Sequence, residues 1–370
     1  MPANVETMAY FMESAQDVPW HGLGVPVDHE ASPSQMLLAS KLNWTVSKRP
    51  LFTSKAPEAI GSGSMFSSFE DYIQRGGSSL VVSDYFALVR DSDNKVLGPA
   101  GKDYIPVQNI EAFTFFKRFT DAGQMRMETA GSLQGGRQVW VLAKLKKSIT
   151  LPGNDVVGSY LLLSSPHIWG KSLVVKFVTI RVVCNNTFTM AMNESSFGKG
   201  FRMPHIRAFS DEVAEEARIS LGIADELFDG FASVAQKLAK APLSLPALSR
   251  YISAILHPEL MTMHMGKNFF KQSEAKQAEL IVDPNSPAID PMQMKQSASD
   301  AYVSAIFQRG ADLESAKGTV WGAFNGVTYY VDHQAGRSRD NALYASWFGP
   351  KGAIKTQAYR RAIQIAEVVA

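Results

Sequence analysis

Leu80-Val81-Val82-Ser83-Asp84-Tyr85-Phe86-Ala87-Leu88-Val89-Arg90, then Asp91-Ser92-Asp93-Asn94, then Lys95-Val96-Leu97-Gly98, is the stretch that decides the fold class. Two β-rich runs separated by a cluster of turn formers read as a hairpin, so a sheet begins at about Ser79. Downstream, residues 108–121 place Ala112, Phe113, Phe116 and Phe119 at helical spacing and stop before Gly123, which predicts one helix packed on that sheet. Further strands are expected over 126–130, 137–145, 159–164 and 173–183. The unit reads β-β-α-β-β-β-β, an α+β fold with a central antiparallel β-sheet and one packed helix.

On either side the grammar changes. Residues 1–78 are rich in Ser, Gly and Pro, with a tight Trp20-His21-Gly22-Leu23-Gly24 turn and one short possible helix over 66–74, and are read as an irregular arm. After Cys184 the chain turns mostly helical. Over 210–240, Ala217, Leu221, Ala224, Phe228, Phe231, Ala235 and Leu238 recur at steps of four and three, predicting one long amphipathic helix. Ser210 with Asp211 and Glu212 suits its N-terminus, so these carboxylates need no catalytic role. Helices are expected again over 297–308, 319–333, 341–348 and 353–369. Asp283-Pro284-Asn285-Ser286-Pro287 sits in an exposed loop near 272–291, the expected linker. Three segments follow: an arm (1–78), an α+β core with basic strands (79–209) and a helical region (210–370).

Bulk properties exclude several classes. With 370 residues, 45% hydrophobic and 19% charged, the chain has enough apolar material for one large core or two moderate ones. A single cysteine, Cys184, cannot form an internal disulfide or a cysteine-rich zinc site, which fits a reducing compartment. No basic and apolar leader opens the sequence, and no apolar run approaches the ~20 residues that span a bilayer. A cytoplasmic protein with no membrane partner is expected.

No catalytic motif is complete. Ser165-Pro166-His167-Ile168-Trp169-Gly170-Lys171-Ser172 ends like a phosphate-binding loop, but the β-branched run that follows predicts a strand. Such a loop needs a helix N-terminus behind it, so a hairpin turn is the better reading. The seven histidines, at 21, 29, 167, 205, 257, 264 and 333, show no ligand spacing, and Pro258 interrupts any helix joining His257 to His264. Cys184 reads as a buried thiol, and Glu111 and Glu128 have no partner visible in sequence. Neither a cofactor nor a metal is expected, and the chain reads as non-enzymatic.

Charge distribution is more informative than the net +2. Residues 131–209 hold ten basic side chains, Arg137, Lys144, Lys146, Lys147, Lys171, Lys176, Arg181, Lys199, Arg202 and Arg207, against Asp155 and Glu194. That excess of +8 leaves −6 for the rest of the chain. Trp140, Trp169, Phe177, Phe197 and Phe201 are interleaved with it. Basic strands with aromatics able to stack on bases suit a sequence-indifferent single-strand binder. The alternative is a solvated sheet face over core aromatics, and strand alternation alone cannot choose. The candidate nucleic-acid contacts are Arg137, Lys144, Lys146, Trp169, Lys171, Lys176 and Arg181. Arg337, Arg339, Lys351, Lys355, Arg360 and Arg361 form a second, C-terminal basic cluster.

Four stretches carry a family resemblance: Pro19 to Gly24; Gly101-Lys102-Asp103-Tyr104-Ile105-Pro106-Val107-Gln108-Asn109; Arg181-Val182-Val183-Cys184-Asn185-Asn186-Thr187; and Trp321-Gly322-Ala323-Phe324-Asn325-Gly326-Val327-Thr328-Tyr329-Tyr330-Val331-Asp332-His333 with Trp347-Phe348-Gly349. In order and spacing they resemble the phage- and plasmid-borne proteins built around domain of unknown function 932. The family has no settled chemistry to carry over. Gln108 or Asn109, and Asn185 or Asn186, read as helix caps, while Asn325, Asp332 and His333 are either buried capping groups or functional. More distantly, the element order is similar to phage single-strand annealing proteins of the RecT and Redβ type, which implies a ring or filament of identical subunits in a bacterial host cytoplasm. The expected function is single-stranded DNA binding, with strand annealing as its refinement. A host- or replicon-protein interaction through the helical half is the alternative, and a nucleotide-using enzyme the minor one.

Overall fold

The computed structural model describes residues 5–12, 23–27, 30–55, 78–121, 123–181, 186–189, 201–221, 224–335 and 351–369. Its strands in chain order are β1 (Val5–Phe11), β2 (Val25–Val27), β3 (Val46–Lys55), β4 (Ser78–Arg90), β5 (Lys95–Gly101), β6 (Met125–Leu133), β7 (Gln138–Leu151), β8 (Asp155–Pro166), β9 (Ser172–Arg181), β10 (Asn186–Thr189) and β11 (Phe201–Pro204). The helices are α1 (Pro33–Ala39), α2 (Asn109–Asp121), α3 (Asp211–Leu221), α4 (Ala224–Lys240), α5 (Leu245–Leu256), α6 (Pro258–Met265), α7 (Glu274–Val282), α8 (Gln296–Phe307), α9 (Val320–Tyr329) and α10 (Lys351–Val369). The molecule is α+β with a mostly helical C-terminal half, and the order β4-β5-α2-β6-β7-β8-β9 is the one read from sequence.

The strands divide into two sheets. The larger runs β10-β9-β8-β7-β6-β1-β2 with β11 also beside β9; the smaller is β3-β4-β5. Every pairing is antiparallel except β1 with β2, so the large sheet is mixed at one edge. The hairpin that opened the sequence argument forms as expected, with Asn94 turning at φ 57°, a left-handed value that asparagine tolerates. It belongs to the smaller sheet, however, because β3 pairs along its outer strand.

The segment read as an irregular arm is structured. Its first seven described residues form β1, which lies along β6, and Arg90 ties β1 to the hairpin through both Glu6 oxygens at 2.9 Å. Helix α1 opens on a capping box between Ser32 and Gln35. Local propensity missed β1 because a short strand is stabilised by the partner edge it completes more than by its own residues, whereas the Ser32-Pro33-Ser34-Gln35 capping signal of α1 is present in the sequence and the arm reading passes over it. The short helix expected over 66–74 lies outside the described residues, as do Trp20 to Gly22, Cys184, Asn185 and the helix expected over 341–348.

Both faces of the large sheet are apolar. Ala130, Val139, Val141, Ala143, Leu161, Leu163, Val175 and Phe177 join a core with Ala112, Phe113 and Phe116 of α2 and with Phe231, Tyr251, Trp321 and Tyr359 of the helical half. Alternate positions, Met8, Tyr10, Trp140, Leu142, Tyr160, Leu162 and Val178, form a smaller cluster on the opposite face. Gly131 lets this second face close: a Cβ there would stand 2.3 Å from the Trp140 ring and 2.4 Å from the Thr7 carbonyl.

In the helical half, two expectations need correction. Residues 210–240 form two helices, α3 and α4, instead of one. The expected linker at 272–291 contains α7, whose Gln277, Ala278 and Ile281 are buried. Arg250 holds the short turn after it by donating to the carbonyls of Ile281, Asp283, Ser286 and Pro287. The break expected at Pro258 falls one residue earlier: His257 is the junction between α5 and α6, and Pro258 takes the first helical position of α6, which runs on through His264.

Candidate nucleic-acid interface

The β8–β9 connection, residues 167–171, is a hairpin turn with Gly170 at φ 78°, and a strand follows Lys171 directly. There is no helix N-terminus to cradle a phosphate, so the Gly170-Lys171-Ser172 run is part of a turn and not a nucleotide loop. What the turn presents is Trp169. Its ring is 52% exposed and meets Tyr85 edge-on at 5.6 Å. Gly101 lies beneath, with the indole in ordinary van der Waals range of its Cβ position at 3.6 Å.

Tyr85 is reached by an irregularity. Between the pairs Pro50↔Phe86 and Leu51↔Val82, β4 carries three residues that β3 does not match, Ser83, Asp84 and Tyr85. Such a bulge re-aims a side chain, and Tyr85 emerges 42% exposed against Trp169. No sequence signal marked it, since the run 80–90 reads as an unbroken strand.

Two cations flank this aromatic pair. Arg137 is exposed just before β7, and its carbonyl accepts the His167 N–H at 2.8 Å, which fixes it beside the turn. A guanidinium nitrogen of Arg137 reaches over Gly98 of β5. Lys171 is exposed in the turn itself. Neither has an acidic partner among the described residues.

Lys144, Lys146 and Lys176 form a second group. Lys144 pairs with Tyr160 across β7–β8, and Lys176 pairs with Leu162 across β8–β9, so both lie on the face that carries the smaller apolar cluster. Lys144 points its ammonium over the Tyr160 ring at 5.9 Å. Lys146 is exposed two residues on, and Arg202 joins the same face through the β11–β9 register, Arg202↔Val174. Burial, with Arg202 adding to it, pushes the Lys176 amine below its ordinary value. From Arg137 to Lys144 the strand advances seven residues, about 23 Å, so the two groups are different patches of one sheet.

Arg181 is no contact at all. It is 2% exposed and its guanidinium is spent on Asp155, at 2.8–2.9 Å, and on the Gly310 carbonyl at 2.8 Å. Asp155 also accepts from Ser315 Oγ at 2.6 Å and Trp321 Nε1 at 3.1 Å, so this cluster fastens the sheet to the helical half. Lys147 and Arg207 meet acids from outside the basic window, Asp229 and Glu216. The +8 of the sequence is therefore partly neutralised in space. Lys199 lies outside the described residues.

Other singled-out residues are structural. Gln108 and Asn109 do not cap α2: Gln108 mimics a strand by bonding Val46 N–H and C=O, and Asn109 donates to the carbonyls of Leu42 and Trp44. Asn325 is buried and donates back to the Trp321 carbonyl, while Asp332 pairs with the buried Lys355 at 2.7 Å. Lys355 and Arg361, counted in the C-terminal basic cluster, are both buried, and Arg337 and Arg339 lie outside the described residues. Among the described residues no three His, Cys, Asp or Glu side chains converge on a metal site, and no helix is long and apolar enough to cross a membrane.

A family model described as "Domain of unknown function (DUF932)" matches residues 96–348. No curated protein and no solved structure matches the chain, so the likeness to annealing proteins rests on element order alone.

Proposed function

The chain belongs to the DUF932 family, and from the geometry it builds within that family we propose a non-enzymatic protein that binds single-stranded DNA across the Trp169–Tyr85 rim. The observation that carries this reading is the half-exposed Trp169, set edge-on to an exposed Tyr85 and flanked by Arg137 and Lys171 without acidic partners. Exposed aromatic rings offer a stacking platform to any base, and unpaired cations take up phosphates without reading sequence. A duplex hides its base faces, so the rim favours single strands. The lysine face, with Lys144, Lys146, Lys176 and Arg202, is a second positive patch of the same sheet, separate from the rim. Strand annealing would follow if identical subunits aligned their rims in a ring or filament.

Fluorescence anisotropy with a labelled oligonucleotide tests the binding. Trp169→Ala should weaken it by about 1–3 kcal/mol, the usual worth of one stacked base, and log Kd should rise steeply with log salt. Absence of binding at low salt refutes the proposal. One observation favours a second reading, a protein partner on the helical half. Val303 and Phe307 sit one turn apart on α8, 49% and 78% exposed, with Met263 and Met292 also exposed. A pull-down from host lysate with the full chain, lost in Phe307→Ser and kept in Trp169→Ala, would support it.

A further inference from the structure

Helix α2 and the chain entering α3 enclose a cavity of about 360 Å³, a volume at the small end of the range of ligand sites. Its floor is aromatic. Phe115 meets Phe119 edge-on at 5.4 Å and Phe209 at 6.3 Å, so three phenyl rings from two segments line one space. Phe115 is buried, and Phe119 and Phe209 are half-buried.

Carboxylates stand on both walls. On α2, Glu111 precedes Phe115 and Phe119 by one and two turns, which puts it on the same helix face as the rings. On α3, Asp211 and Glu215 are one turn apart and both line the cavity. Among the described residues that line it there is no Lys, Arg or His. Glu111 is tied to its own helix, its carboxylate accepting the Gln108 N–H at 2.6 Å. Burial pushes this carboxyl above its ordinary value, a direction that a cation placed beside it would reverse.

Rings and carboxylates together narrow the chemistry of an occupant. Phenyl walls offer no oxygen donors to replace the hydration shell of a hard metal ion, and three carboxylates repel an anion. A ligand that suits both parts carries methylenes between positive ends, since methylenes pack on the rings and an ammonium is drawn to carboxylates and to ring faces alike. We infer that this cavity binds a linear aliphatic polyamine, with its methylene stem across Phe115, Phe119 and Phe209 and its ammonium groups divided between Glu111 on α2 and Asp211 and Glu215 on α3. A monoamine reaches only one wall. The cavity shares no residue with the Trp169–Tyr85 rim, so the inference stands or falls independently of what the rim binds.

Isothermal titration of the full chain with spermidine tests this, alongside saturation-transfer NMR on the methylene protons of the polyamine. Binding that saturates at one equivalent per chain is expected, with saturation passing from the phenyl rings to the methylenes. Propylamine should bind more weakly by about fivefold or more for each ammonium it lacks, the factor that one ion pair at contact is worth in water. Glu111→Gln, which keeps an acceptor for the Gln108 N–H, should weaken binding. Thr114→Trp, at an exposed position of the lining, should abolish it while leaving every carboxylate in place. Far-UV circular dichroism checks that both variants fold, and Asp211→Asn, also at an exposed position, replaces either one that does not. No saturable binding of millimolar spermidine to the wild type overturns the proposal. So does binding that survives Thr114→Trp, or that Mg²⁺ displaces as readily as putrescine does, since either result would mean attraction to surface charge alone.

Discussion

Replacing Arg181 with alanine separates a structural cation from a binding one. In the native chain the guanidinium makes both Asp155 contacts and the Gly310 contact with 2% of its surface exposed, and Asp155 itself is fully buried. The variant leaves that carboxylate in place with, among the described side chains, the Ser315 and Trp321 donors. Breaking a buried pair from one side costs about 3–5 kcal/mol, a large share of the roughly 5–15 kcal/mol that holds a typical domain. At about 2.1 cal/mol/K per residue the unfolding entropy of this chain converts that loss to roughly 4–6 °C in Tm. Urea unfolding of Arg181→Ala should show the loss, and Arg181→Met with Asp155→Leu should recover much of it, since no charge is then stranded. Below the transition, single-strand affinity should match the wild type within twofold. A variant that keeps its unfolding midpoint but loses affinity, with a shallower salt slope, would refute the assignment and return Arg181 to the interface.

Arg137→Ala and Lys171→Ala should each weaken single-strand binding and flatten the salt dependence by about 0.7 in slope for every phosphate released, with melting temperatures unchanged. If both bind as the wild type does, the rim is the wrong surface. Gly131→Ala drives a methyl against the Trp140 ring and the Thr7 carbonyl; overpacking of this kind costs about 1–3 kcal/mol, read as a lower urea midpoint, and a neutral result would mean that β1 is free to move off β6. His167, pushed down to about 3 by burial, takes up no proton in the folded chain while the unfolded chain protonates near its ordinary 6.5. Stability should therefore fall as pH drops through 6.5, at up to about 1.4 kcal/mol per unit for this histidine. Comparing urea unfolding at pH 7 and pH 5 for wild type and His167→Gln isolates the effect, and equal slopes would contradict it.

How much of this was legible can be followed residue by residue. The hairpin at Asp91 to Asn94, the α2 stripe of Ala112, Phe113 and Phe116, and the turn at Gly170 are local features, written in turn chemistry and periodicity within a dozen residues. The β1 strand was not, because Val5–Phe11 becomes a strand only by lying along β6, more than a hundred residues away. Trp169 and Arg137 were readable as candidates from residue type and charge. Tyr85 was not, since an unmatched bulge between two strands leaves no mark on either one.

The sequence by itself determined the family, the α+β order and the excess of positive charge between 131 and 209, all properties that sum over residues or over short windows. Only the tertiary structure decided which charges remain available. Arg181 and Lys144 count alike as single positive charges in the sequence, yet one is fastened to Asp155 inside the protein and the other lies on a sheet face, because pairing depends on distance in space and on burial, and neither is additive along the chain.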